Sequence, residues 1–69
     1  MLMDDYFDYT YINQRGFETT DTYMSLMEAL RAAARDHESG LKTPLEIKND
    51  QVKYEYQEIL VMCQKYKLF

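Results

Sequence analysis

Apolar and polar positions alternate along some stretches of the chain and recur at helical spacing along others. Residues 4–12, Asp-Asp-Tyr-Phe-Asp-Tyr-Thr-Tyr-Ile, are rich in aromatic and β-branched types, which predicts a strand with Phe7, Tyr9 and Tyr11 on one side. A helix with Leu2, Tyr6 and Tyr9 on one stripe is the competing reading, because the Asn13–Gly16 segment ends a helix as well as it turns a strand. Phe17–Thr19 can pair back as a short second arm. Asp21 or Thr20 then offers a side-chain oxygen for a helix N-cap. Tyr23, Leu26, Met27, Leu30, Ala33, Ala34 and His37 follow at spacings of three and four, an apolar arc of about 120°. Gly40 is placed to take the left-handed conformation that closes this helix, with Leu41 folding back on the last turn and Pro44 soon after.

After Pro44 the period becomes two. Leu45 and Ile47 alternate with Glu46 and Lys48, Asn49-Asp50 marks a turn, and Val52, Tyr54 and Tyr56 alternate with Lys53 and Glu55, which predicts a β-hairpin. Gln57–Phe69 predicts a second helix, with Ile59, Leu60, Met62, Cys63 and Tyr66 on one side; a buried strand through Ile59–Cys63 is the alternative. The expected order is β-α-β-β-α, a small α+β domain spanning residues 1–69 with an antiparallel or mixed sheet and helices packed on one face.

Composition narrows the class. With 46% hydrophobic and 29% charged residues the chain is globular rather than disordered. No apolar run reaches the roughly 18 residues of a membrane span, and the start lacks the basic and apolar regions of a signal peptide, so a cytoplasmic protein without membrane contact is expected. A single cysteine, Cys63, gives no internal disulfide, and a domain this short buries only about 60% of its unfolded surface; a homodimer or a partner-dependent assembly is expected to add to the core. Residues 1–21 carry Asp4, Asp5, Asp8, Glu18 and Asp21 against Arg15, the whole net charge of −4, while the remainder is balanced. That excess argues against nucleic-acid binding.

Catalytic chemistry finds little support. His37 and Cys63 are the only histidine and thiol, and each sits on an apolar stripe, where a partly buried imidazole and a small core thiol account for them. Asp4, Asp5 and Asp8 lack the ligand spacing and central glycine of a calcium loop, no paired Cys or His suggests zinc, and Gly16 and Gly40 form no phosphate loop. The expectation is a protein that is not an enzyme, with no metal and no cofactor. Arg31 and Arg35, one turn apart on the solvent side, can grip a phosphate while tyrosines such as Tyr54 and Tyr56 stack on a base; ordinary salt bridges Glu28–Arg31 and Arg35–Glu38 are the simpler account.

Seven tyrosines and three phenylalanines are a stronger signal, since tyrosine gives large contact area at small entropic cost. Asp4, Asp5, Tyr6, Phe7, Asp8, Tyr9 and Tyr11 form an acidic aromatic cluster that reads as a partner-binding edge. Ser25, Ala29, Ala32 and Asp36 make a small-residue stripe on the back of the long helix, suited to a second helix or simply to helix propensity. Val61 and Leu68 fall outside the main apolar side of the last helix.

The stretch from Ala29 through Gly40, Pro44, Ile47, Tyr54, Tyr56 and Ile59 resembles the helix-Gly-x-x-x-Pro-hairpin-helix plan of small accessory proteins carried by bacteriophages and mobile elements. The resemblance covers about half the chain and implies a protein that binds a host or defence protein in the host cytoplasm, or sequesters a small signalling molecule. The first expectation is accordingly a non-enzymatic interaction module, an inhibitor acting through the acidic aromatic edge. The alternative is a small ligand-binding protein holding a phosphorylated nucleotide through Arg31, Arg35, Tyr54 and Tyr56.

Overall fold

A computed structural model describes residues 6–69. Its elements are β1 (Phe7–Ile12), β2 (Glu18–Tyr23), α1 (Leu26–Ser39), β3 (Thr43–Lys48), β4 (Lys53–Glu55) and α2 (Tyr56–Lys65). The four strands form one antiparallel sheet in the order β2-β1-β3-β4. Helix α1 lies over β1, β2 and β3, and α2 over β3 and β4. This is the expected α+β class with one full strand more than the sequence predicts. No helix among the described residues is long and apolar enough to cross a membrane.

The added strand is β2, which extends the short arm expected at Phe17–Thr19 through Tyr23. Thr20 and Asp21, expected to cap a helix, are strand residues paired with Thr10 and Tyr9, and Tyr23 pairs with Phe7. Four of the six β2 residues are Thr or Tyr, types that suit a pleated, half-buried surface, and exposure alternates along it. The hairpin closes on Asn13, whose Oδ1 accepts from the backbone N–H of Arg15 and Phe17, with Gly16 at a φ of 86°. Helix α1 starts instead after Ser25, whose Oγ accepts from the Glu28 N–H at 3.1 Å. Ser25-Leu-Met-Glu28 is a capping-box spacing, and that signal competes with Asp21 in the sequence.

The buried arc of α1 also differs from the expected one. Ala29, Ala32 and Asp36, the stripe assigned to the back of the helix, are buried with Leu30, Ala33 and Ala34. A helix held by both a sheet and a second helix buries two flanks rather than one, and small residues let it approach the sheet closely. His37, expected on the apolar arc, is exposed, and so is Leu41, expected to fold back on the last turn. Gly40, at a φ of 75°, closes the helix as expected.

The second hairpin keeps its turn, where Asn49 Oδ1 accepts from the Gln51 and Val52 N–H groups. Its faces are not those of a simple alternation. Thr10 pairs with Glu46 but Tyr11 pairs with Pro44, so Leu45 is the extra residue of a bulge. Proline has no N–H to give the ladder, which favours such a break; Pro44 takes the buried slot and Leu45 turns toward the open face. Tyr56 leaves the strand to begin α2, because Glu55 and Glu58 form a reciprocal capping box at that point. The helix ends earlier than expected, at Lys65. Lys67 takes the left-handed conformation at a φ of 59°, with Lys67 N–H to the Gln64 carbonyl and Leu68 N–H to the Cys63 carbonyl at 2.8 Å. That pair of bonds is a Schellman ending with lysine in the usual glycine position, and it returns Leu68 to the core. Tyr9, Leu30, Pro44, Ile47, Ile59 and Cys63 are the largest fully buried side chains.

Candidate functional site

The acidic aromatic cluster expected at the N-terminus is divided by the fold. Asp4 and Asp5 lie outside the described residues. Strand β1 runs through the middle of the sheet, bonded to β2 on one side and β3 on the other, so it forms no edge. Tyr9 is fully buried and Tyr11 nearly so; both face the helices, and Phe7 packs against the same core. Tyr6 is exposed, and Asp8 is half-buried on the opposite face, where its Oδ1 accepts from Thr22 at 2.8 Å. Alternation explains the division: successive side chains on a strand point to opposite faces, and the helices cover only one.

The buried tyrosines form a polar-lined aromatic group. Tyr9 donates to Asp36 Oδ2 at 2.9 Å, joining the sheet to α1, and Tyr11 donates to Asp21 Oδ2 at 2.9 Å across the hairpin. The Tyr9 ring centroid is 5.0 Å from that of Tyr11 and 6.4 Å from that of Tyr23. Burial, then the bond to Asp36, pushes the Tyr9 phenol well above its ordinary range. The bond to Asp21, then burial, raises Tyr11, and burial raises Tyr23 against an opposing pull from Arg35. Lys42 stands 4.9 Å above the Tyr11 ring centroid. Tyr9 and Asp36 are withdrawn from the surface, while Asp21 and Tyr23 stay half-buried on β2.

The edge that is available belongs to β2. It pairs with β1 along all six of its residues, and no backbone bond among the described residues ties it to anything else. In an antiparallel ladder every second residue of such a strand directs its N–H and C=O away from the neighbour. Glu18, Thr20 and Thr22 are exposed, and Thr19, Asp21 and Tyr23 are half-buried. Thr20 bonds Thr10 at 2.9 Å on the open face. Between residues 7 and 23 the acids are Asp8, Glu18 and Asp21 and the only base is Arg15, in the turn. Two of the most exposed large apolar side chains, Phe17 at 64% and Met24 at 68%, stand immediately before and after the strand. The sequence expectation places none of Phe17, Glu18, Thr20, Thr22 and Met24 at a binding site, although it reads Phe17–Thr19 as a short second arm. The threonines and Tyr23 of β2, types that favour strands, and the capping-box spacing that begins at Ser25 carry the signal that finds them.

The arginine pair expected to grip a phosphate does share a place. Arg31 and Arg35 line one open hollow with Glu38, Ser39 and Leu68. The salt bridges Glu28–Arg31 and Arg35–Glu38 are not formed within 4.0 Å among the described residues; the ion pairs present run among Glu46, Lys48, Lys53 and Glu55 on the sheet. The tyrosines are elsewhere. Tyr54 lines a separate hollow with Gln57, Glu58, Val61 and Met62, and Tyr56 meets the edge of His37 at 6.1 Å between centroids. His37 also lies 5.4 Å from Phe69, while Cys63 is buried with its thiol directed to the Leu30 carbonyl and raised by burial. The two residues of a Cys-His pair are thus occupied with different neighbours.

Compared with protein-family models, curated proteins and solved structures, the chain has no match.

Proposed function

We propose that this protein is a non-enzymatic interaction module whose working surface is the outer edge of the N-terminal hairpin. The supporting observation is the combination found at β2: a six-residue edge strand with acidic side chains, bracketed by exposed Phe17 and Met24. Exposed apolar groups beside a charged strand supply a desolvated anchor and electrostatic steering together. The resemblance to accessory proteins of phages and mobile elements adds that the partner is a host or defence protein and that binding inhibits it. A photo-crosslinking side chain in place of Thr20 or Thr22, used in extracts of the native host, tests the reading. One stoichiometric partner is expected from these positions, weakened by Phe17→Ala and Met24→Ala. The same adducts formed from Gln64 on α2 would overturn it.

The arginine hollow supports a second reading, capture of a phosphorylated nucleotide, because Arg31 and Arg35 line one space without a carboxylate paired to either among the described residues. Tyr54 and Tyr56 take no part in it. Nucleotide binding abolished by Arg31→Ala and Arg35→Ala, with the hairpin variants unaffected, would move the function to this face.

A further inference from the structure

The two edges of the sheet are protected to different degrees, and the difference identifies what binds. Strand β4 has three residues, carries Lys53, and passes into α2 without an intervening loop. Short length, an edge lysine and a covering helix are devices that stop a strand from pairing with another chain. Strand β2 has a helix over one face as well, but it is twice as long, contains no lysine or proline, and shows no bulge in its register with β1. What it does carry is like charge, Glu18 exposed on the open face and Asp21 half-buried on the helix face. Two such edges meeting across a two-fold axis would put two acids and no base of the paired strands on each face. A strand bearing lysine or arginine would meet complementary charge on both faces.

We infer that β2 accepts an extended basic segment of another protein as a fifth strand, by main-chain pairing along Glu18–Tyr23. The inference rests on the interaction reading above and names the partner's chemistry. Main-chain bonds supply affinity in this mode, while alternate side chains supply selectivity. Residues of the added strand beside Glu18, Thr20 and Thr22 lie on the open face, next to the Thr10–Thr20 and Asp8–Thr22 bonds, where a cation is solvated on one side and attracted on the other. At the two ends of β2 stand the exposed Phe17 and Met24, apolar surface for residues of the incoming strand.

The test uses the full chain and a capped octapeptide of alternating Lys and Val, with a Glu-Val octapeptide as control, read by amide hydrogen exchange. The expected result is at least tenfold protection of alternate amides within Glu18–Tyr23 by the Lys-Val peptide. That protection should weaken with salt and disappear in a Glu18→Lys, Thr20→Lys variant whose thermal transition matches the parent. Equal protection by the Glu-Val peptide, or protection confined to other elements, would overturn the inference. So would protection of β2 that rises with protein concentration without peptide, since the occupant would then be a second copy of the chain. If host partners crosslink to Thr20 or Thr22 while β2 amides stay unprotected by the peptide, strand addition fails and the interaction reading stands. If the peptide adds to β2 but no host protein crosslinks there, the reverse holds.

Discussion

Tyr9 and Tyr11 leave the same face of one strand, two residues apart, and each donates a 2.9 Å hydrogen bond to an aspartate. Their consequences differ because their partners stand in different places. Asp36 is buried on α1, so the Tyr9 bond spans the sheet–helix interface and replaces water for a carboxylate that has little access to it. Asp21 is half-buried on β2, so the Tyr11 bond clasps a local hairpin beside solvent. An identical bond is worth little where water can substitute for it and much where water cannot.

The largest expected effect is alkaline. Both phenols, and Tyr23, are raised in the folded state, Tyr9 the furthest. The unfolded chain then releases protons above its phenol pKa of about 10 while the folded chain keeps them, so stability is complete below pH 10 and declines as pH rises. The slope is up to about 1.4 kcal/mol per pH unit for each phenol that stays protonated. Urea titrations between pH 9 and 12 should show this decline, and Tyr9→Phe should reduce it more than Tyr11→Phe does. A flat profile would contradict the burial of Tyr9 and its bond to Asp36.

At neutral pH, Tyr9→Phe should cost about 2 kcal/mol, since it keeps the ring but leaves the Asp36 carboxylate buried without its donor. Chemical denaturation measures it; a loss below about 0.5 kcal/mol would mean that water reaches Asp36. Tyr11→Phe should cost about 0.5–1 kcal/mol by the same measurement, because Asp21 can turn to solvent. Equal losses at the two sites would erase the distinction. Smallest of all, Phe17→Ala should leave stability within about 0.5 kcal/mol, since that ring is exposed. A ring that contributes nothing to folding yet stands beside an open edge is then left to binding.

The sequence made the aromatic strand legible, together with its inward set of Phe7, Tyr9 and Tyr11, because period two is a local property. It also showed the body of α1 through Leu30, Ala33 and Ala34, and the Gly40 stop. It did not show β2. Thr20 and Asp21 are good helix caps and good strand residues alike, and the choice is made by pairing with β1, a contact between distant positions. The stripe of Ser25, Ala29, Ala32 and Asp36 reads as the back of the helix, suited to a second helix or to propensity alone, because a single 120° arc describes a helix with one neighbour, whereas α1 has two. The candidate site moved for the same reason: an acidic aromatic strand looks like an edge until its place in the sheet is known, and β1 has a neighbour on each side.

The central position of β1 also sets the order in which the fold can be completed. Thr10 pairs with Thr20 on one side and with Glu46 on the other. Closing the first pair needs only the Asn13–Gly16 turn, whereas the second waits for α1 and β3 to be made, with an entropic cost that rises by about 0.6 kcal/mol for each doubling of the loop. During synthesis the hairpin can form as soon as Tyr23 has emerged, with one side of β1 bare until the chain has grown past Lys48. The strand that is best sheltered in the finished sheet is therefore the one exposed longest on the ribosome, and in that interval its vacant side is open to any passing strand.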